Sequence, residues 1–309
     1  MFRAAAGPGG TLPFARFMEL ALYHPATGYY RRDRPRVGRR READFYTATS
    51  LGPVFGELVA AACARLLEGR DPRAHTFVEI GAEPGASVLE GVAHPFGATR
   101  TVRVGEPPGL SGDCVVFSNE LFDAQPFTRT VFRRGRWWET GVTLEDDRLV
   151  ETELPFDGDE GPAPEGYRFD RPLAAAALAD TIAAQPWRGL FVAFDYGKPL
   201  AELLAHTPAG TARAYFRHQM SDDLLARPGE QDLTCHVCWD WLSAALGRRG
   251  FAAPRLDFQE TFLVRNALTA LAAASEAEAG GLSARKLALL QLLHPSGLGQ
   301  KFQVLHALR

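Results

Sequence analysis

Short apolar runs set the strongest limit on what this chain can fold into. "FVEI" at 77–80, "TRTVRVG" at 99–105, "CVVFSNE" at 114–120 and "GLFVAFDYG" at 189–197 are near-continuous or β-rich rather than alternating. A strand with one wet face alternates apolar and polar side chains, so such runs demand a parallel sheet covered on both faces. Helical stretches between some of them, such as "RPLAAAALADTIAAQ", supply that cover and predict a doubly wound α/β sheet. "TRTVFRRGRWWETGVTLEDDRLVETEL" differs: three segments broken by "RRG" and "EDD" predict an antiparallel meander inserted over 127–155.

The flanks read as follows. Apolar spacing predicts a helix from about Pro13 to Tyr23, followed by a turn in "HPATGYYRR". "RRDRPRVGRRREADF" is expected to be a solvated basic loop, and "GPVFGELVAAACARLLEG" an amphipathic helix closed by Gly69. Toward the C-terminus, "CWDWLSAALGRRG" reads as a helix and "PRLDFQETFLVR" as a strand region. Helices within an insertion at 265–295 precede a last strand in "KFQVLHAL". With no internal repeat or linker, the expected organisation is an N-terminal helical and loop region over 1–75 and a sheet domain over 76–309.

Composition removes several classes. With 46% hydrophobic and 23% charged residues, neither disorder nor a fibre is expected, and a net charge of -3 gives no global reason for a nucleic-acid or anionic-membrane partner. No run reaches the roughly 18 apolar residues of a membrane span, and the N-terminus lacks a signal-peptide core, so a cytoplasmic protein is the expectation. The four cysteines do not form a disulfide scaffold. "CHVC" at 235–238 has a ligand-like spacing, but Cys63 and Cys114 stand alone, so no metal is expected.

In open α/β sheets the ligand lies beyond the carboxyl ends of the strands, so the residues following each run carry the chemistry. They are Gly81–Gly85, Glu106, then Asn119, Glu120 and Asp123, then Asp195–Gly197. "FVEIGAEPGASVLEG" passes from a strand through a glycine turn into a helix-like segment, as a cofactor loop does. It lacks the G-x-G-x-x-G pattern, which argues against a dinucleotide dehydrogenase. Glu106, 21 residues after Gly85, stands where a second-strand acid grips ribose hydroxyls; the plain alternative is an exposed acid before a Pro-Pro turn. Glu79 before the turn and Asn119-Glu120 after the third run fit an S-adenosylmethionine site better.

The chain resembles the MidA-like class I S-adenosylmethionine-dependent methyltransferases, a family that includes the mitochondrial complex I assembly methyltransferase acting on protein arginine. The matching blocks are "FMELALYHPATGYY", "ADFYTATSLGPVFGE", "FVEIGAEPGASVL", "SNELFDAQPF", "VAFDYG", "RHQMSDDLLARPGEQDLTCHVCW", "QETFL" and "GLGQKFQVL", in family order. The resemblance implies a cofactor site on Glu79, Gly81, Ala82, Gly85, Glu106 and Asn119, and a catalytic Asn-Glu-x-x-Asp motif on Asn119, Glu120 and Asp123. Asp44, Thr47, Tyr196 and His236 would serve the substrate, a protein side chain of a respiratory complex I type subunit.

Two departures from the family stand out. Its first loop resembles Gly-Pro-Gly-x-Gly, whereas this chain has Gly81-Ala82-Glu83-Pro84-Gly85. Glu83 sets a carboxylate near a ligand that carries its own, and Pro84 removes a backbone donor. Asn119 follows Glu106 by only 13 positions, too few for the helix, strand and helix that usually intervene, so one edge strand should be missing. Two functions are therefore open: a working methyltransferase, or a relative that keeps the fold as an assembly or binding factor. Plain readings also stay open for single residues. Glu120 could cap a turn, Asp123 could be a helix N-cap, Tyr196 a core aromatic, and His218 and His236 structural histidines.

Overall fold

A computed structural model describes residues 2–32, 36, 44, 48–158, 160–278 and 283–309. The chain divides into two compact units, each assembled from three segments: 1–45, 122–177 and 198–241 in the first, 46–121, 178–197 and 242–309 in the second. This division runs differently from the linear boundary expected at residue 75. The Asn-Glu-x-x-Asp motif crosses it between Leu121 and Phe122.

The second unit is built on a six-stranded sheet. Its strands are β1 (Thr76–Ile80), β2 (Ala98–Val102), β3 (Gly112–Asn119), β4 (Trp187–Asp195), β5 (Ala252–Phe258) and β6 (Gln303–Leu308). The spatial order is β5-β6-β4-β3-β1-β2, parallel from β4 to β2, with β6 and β5 antiparallel. Among the described residues the sheet stops at β2, without the further edge strand, as expected. Ridges of Phe77, Val115, Phe117, Val192 and Phe194 pack on one face against the helix Pro53–Leu66 and the C-terminal helices Gln259–Asn266, Leu268–Ala277 and Ala284–Leu293. On this face Phe55 meets Phe194 edge-on at 5.4 Å between ring centres. All the side chains named are buried, which is why these strands show no alternation.

The first unit carries the meander: Thr128–Arg133, Arg136–Glu145 and Arg148–Leu154, antiparallel in register. Its turns are two-residue loops with left-handed backbone, Arg134 and Gly135 at φ 53 and 74, Asp146 and Asp147 at φ 45 and 63. Positive φ at both central positions lets a hairpin follow the natural strand twist. Beside it, Phe14–Tyr23 buries Phe14, Phe17, Met18, Ala21 and Leu22, the i, i+3, i+4, i+7, i+8 stripe that the sequence shows.

Two expectations need correction. "PRLDFQETFLVR" is half strand and half helix: β5 ends at Phe258 and Gln259 starts the helix to Asn266. More consequentially, no helix follows the glycine turn after β1 anywhere between Gly81 and Gly97. Gly85 and Gly91 both take left-handed backbone, at φ 72 and 68, and the five residues between them are too few to nucleate a helix. Most of the basic loop, with Thr47, lies outside the described residues.

Candidate functional site

The second unit gathers the cofactor candidates at the carboxyl ends of its strands. Glu79, one residue from the end of β1, is 6% exposed, and its Oε2 accepts the Val88 amide at 2.8 Å. Burial pushes its carboxyl above the usual range, while the Val88 and Ser87 hydrogen bonds and the Arg103 charge oppose that shift. The carboxylate thus ties residues 87 and 88 back onto the strand. Gly81 follows at φ 88, its amide bonding the Val102 carbonyl at 2.9 Å, and an added Cβ there would sit 3.0 Å from Leu121 Cδ1. Beyond the buried Ala82, Glu83-Pro84-Gly85-Ala86 closes on an Ala86 N–H to Glu83 carbonyl bond of 3.1 Å. Proline second, glycine at positive φ third and an i to i+3 bond are the marks of a type II turn.

Glu106 reaches back to the end of β2. Its Oε2 accepts the Arg103 amide at 2.8 Å and its own amide bonds the Arg103 carbonyl at 3.0 Å. Because Gly81 bonds Val102, that carboxylate is held at the edge of the sheet one strand from the glycine turn.

At the end of β3 the polar accounting is incomplete. Ser118 is 3% exposed, yet among the described residues neither its Oγ nor the Asn119 Oδ1 has a hydrogen-bond partner. Such atoms occur elsewhere among the described residues too, but here two fall on consecutive residues at a strand's carboxyl end, where open α/β sheets bind their ligands. Asn119 Nδ2 donates to Glu120 Oε1 at 3.1 Å, and Glu120 sits in left-handed backbone at φ 53 while its amide bonds the Phe194 carbonyl at 2.9 Å. A non-glycine residue in that region is sparsely populated, a feature that clusters at ligand sites. At the end of β4, Tyr196 packs on Phe302 with ring centres 4.1 Å apart, the core-aromatic position. A glycine turn, an acid tied to the second strand's end and two oxygens without a partner among the described residues thus stand at successive strand ends, where such sheets bind ligands.

Within the first unit, Asp123 and Asp44 belong to a buried tyrosine cluster that sequence reasoning did not assemble. Tyr29 donates to Asp44 Oδ2 at 2.7 Å, Tyr30 to Asp232 Oδ1 at 2.9 Å, and Tyr23 to the Ala124 carbonyl at 2.9 Å. Tyr23 and Tyr30 are stacked, 5.5 Å between centres. Burial, and then the Asp232 charge, drives both phenols up, and the Asp123 charge acts in the same direction. Asp44 Oδ1 also accepts the Arg217 amide at 2.8 Å. The available signal was the repeated Tyr-Tyr after a helix stop. No helix follows Asp123, so it is not an N-cap.

His236 lies elsewhere in this unit: its amide bonds Thr211 Oγ1 at 3.1 Å, and burial, then Lys198 and Arg213, push the imidazole down to about 4. An unfolded histidine titrates near 6.5, so the unfolded chain takes up this proton first. Stability from this group is complete above about pH 6.5 and lost as pH falls toward 4. His236→Gln is expected to remove about 2 kcal/mol of the difference in unfolding free energy between pH 7.5 and 4.5 in urea titrations. An unchanged difference would show that the ring titrates normally.

Cys235 and Cys238 are buried thiols, and burial pushes Cys238 up to about 11. Among the described residues no group of three or more His, Cys, Asp or Glu could hold a metal ion, and no helix is long and apolar enough to cross a membrane.

Comparison with known proteins agrees with this geometry. Residues 100–255, just over half of the chain, match the family model described as "Putative S-adenosyl-L-methionine-dependent methyltransferase". A crystal structure of a "likely methyl transferase" from Burkholderia thailandensis, bound to S-adenosyl-homocysteine, is similar at TM-score 0.86 and 27% identity. The match covers 99% of this chain and 89% of that one. A second structure, of an uncharacterized superfamily protein from the same organism, is similar at TM-score 0.81 and 25% identity over the same shares. No curated protein sequence matches the chain. The chain belongs to the S-adenosylmethionine-dependent methyltransferases, in the MidA-like class I family whose motifs it carries.

Proposed function

We propose that this chain binds S-adenosylmethionine and methylates a protein side chain, an arginine guanidinium, on a respiratory complex I type subunit in the cytoplasm. The observation that carries the cofactor half is the pair of orphaned oxygens, Ser118 Oγ and Asn119 Oδ1, at the end of β3 between the glycine turn and β4. The arginine half rests on the family resemblance and on the acids of the Asn-Glu-x-x-Asp motif. S-adenosylhomocysteine in the Burkholderia structure supports the same ligand here.

When bound, the cofactor supplies a methyl group on a sulfonium. The protein's task is alignment and exclusion of water. Glu79 fixes the turn, Glu106 would hold the ribose hydroxyls, and Ser118 and Asn119 would accept from the amino-acid end or the sugar. A guanidinium is protonated and a poor nucleophile, so an acid must orient it and localise its charge. Glu120, in left-handed backbone at the end of β3, is assigned that role.

Calorimetry should detect S-adenosylhomocysteine binding to the purified chain at millimolar ligand or below. Glu120→Gln is expected to leave that binding within about threefold and to lower methyl transfer by about 100-fold or more. Absence of binding to either cofactor form would discard the enzyme in favour of a fold kept for assembly. Unchanged transfer in the variant would move the acid role elsewhere.

A further inference from the structure

We propose that the outer side of the C-terminal helices is the contact surface of a two-fold dimer, covered in solution by the same surface of a second copy of this chain. The surface lies wholly within the second unit, and the proposal does not depend on the cofactor reading.

Seven large apolar side chains are exposed among the described residues, and five of them fall between residues 258 and 290: Phe258, Val264, Leu268, Leu287 and Leu290. Single exposed apolar residues are ordinary, whereas their concentration in one stretch is what a contact surface shows. The helices Gln259–Asn266, Leu268–Ala277 and Ala284–Leu293 bring them together. Phe262 and Leu263 of the first, Ala274 of the second, and Ala288, Leu289 and Leu292 of the third all enter the core shared with the helix Pro53–Leu66. The first of the three packs against both others. Their opposite sides therefore face away from the sheet together: Val264 on the first, Leu268 and Ala272 at i, i+4 on the second, Leu287 and Leu290 at i, i+3 on the third.

The third helix makes the case for a cover. Its stretch "LALLQLL" at 287–293 is apolar on the inner and the outer side alike. A helix apolar all round is a buried helix, and here the chain itself covers only the inner side. Arg285 Nη1 donates to Glu57 Oε1 at 2.9 Å, which ties this helix to Pro53–Leu66 and holds its outer side in place.

Charge decides what the cover is. On these helices Arg265 pairs with Asp257, Arg285 pairs with Glu57 and Glu278, and Glu260 accepts from Gln300. Glu276 and Lys286 have no ion pair among the described residues. Glu276 extends the Leu268 and Ala272 line by four residues, and Lys286 precedes Leu290 by four, so both border the apolar surface. One unpaired acid and one unpaired base make the surface complementary to itself, because a two-fold axis sets Lys286 of each copy against Glu276 of the other. An anionic lipid surface or a strongly charged protein calls for an excess of one sign, which these helices lack.

Sedimentation velocity on the full chain, from about 1 to about 100 µM, should show a species of twice 33.7 kDa. Leu287→Glu combined with Leu290→Glu should raise the dimer dissociation constant at least about 100-fold, with an unchanged far-ultraviolet circular dichroism spectrum. Met220→Glu, at a side chain more exposed than either leucine but outside the surface, should leave the dimer as it is. Lys286→Glu and Glu276→Lys should each weaken the dimer about 10-fold or more, and an equimolar mixture of the two should recover to within about threefold of the parent, since each altered charge then meets its opposite. A parent that stays monomeric at the highest concentration would overturn the proposal, and its sedimentation with phosphatidylglycerol vesicles would give the surface to a lipid instead. A dimer that survives the double leucine variant, or a mixture no tighter than its components, would overturn it as well.

Discussion

Gly56→Val will be among the most damaging single substitutions in this chain, costing at least about 3 kcal/mol of stability and removing adenosyl-ligand binding. Gly56 lies in the first turns of the helix Pro53–Leu66, and a Cβ there would stand 2.0 Å from the Val88 carbonyl oxygen and 3.0 Å from Val92 Cγ2. The neighbour is backbone, which cannot swing aside as a side chain can. The Val88 amide is in turn the partner of Glu79. Pushing residue 88 off the helix therefore breaks the anchor of the cofactor turn as well as the packing of buried Val88, Leu89 and Val92. Gly247, a helical glycine with nothing within 4 Å of an added Cβ, is the control: Gly247→Ala should be neutral or stabilising by up to about 1 kcal/mol. Urea unfolding and calorimetry on both variants decide the matter. Near-parent values for Gly56→Val would mean that the helix and the loop are not in contact.

This coupling also shows where sequence reading stopped. "GPVFGE" and "FVEIGAEPGASVL" both stand out as motifs, but nothing in either says that the glycine of one accommodates the backbone of the other. Close approach is a tertiary fact, and a glycine at φ < 0 inside a helix gives no local sign of it. Regular elements were legible because each rests on a local period. The Phe14–Tyr23 stripe, the two broken turns of the meander at Arg134-Gly135 and Asp146-Asp147, and the unalternating cores of β1, β3 and β4 all follow from side-chain direction and from burial.

The helix-like segment expected after the glycine turn, up to Gly91, does not form. Pro84, Gly85 and Gly91 fix backbone that a helix cannot use. The site was legible residue by residue and illegible as clusters. Glu79, Gly81, Glu106 and Asn119 could be named from their offsets after strands, whereas Tyr30 with Asp232, 202 positions apart, could be paired only by folding.

Asp170→Ala is expected to be as costly as the glycine change, about 3 to 5 kcal/mol, and for an opposite physical reason. The Asp170 side chain is 0% exposed, and that of Arg129, whose Nη1 it accepts at 2.8 Å, is 9% exposed. Its other oxygen accepts the amides of Thr211 at 2.6 Å and Ala212 at 2.8 Å, and it lies where a Cβ on Gly210 would clash at 2.4 Å. Removing it strands a buried guanidinium and two backbone donors together, so the loss is dominated by desolvated groups left unpaired rather than by the attraction itself. Two further measurements separate these contributions. Asp170→Asn keeps an acceptor without the charge and should fall between parent and alanine variant in urea midpoint. Pairing Asp170→Ala with Arg129→Met removes the stranded cation and should recover part of the loss despite deleting more of the native contact. The Asp170 charge also opposes the downward shift of His236, so the alanine variant should steepen the acid limb assigned to His236. A double variant less stable than Asp170→Ala alone would show that Arg129 is held by Glu151, 3.8 Å away, well enough to stand without its aspartate.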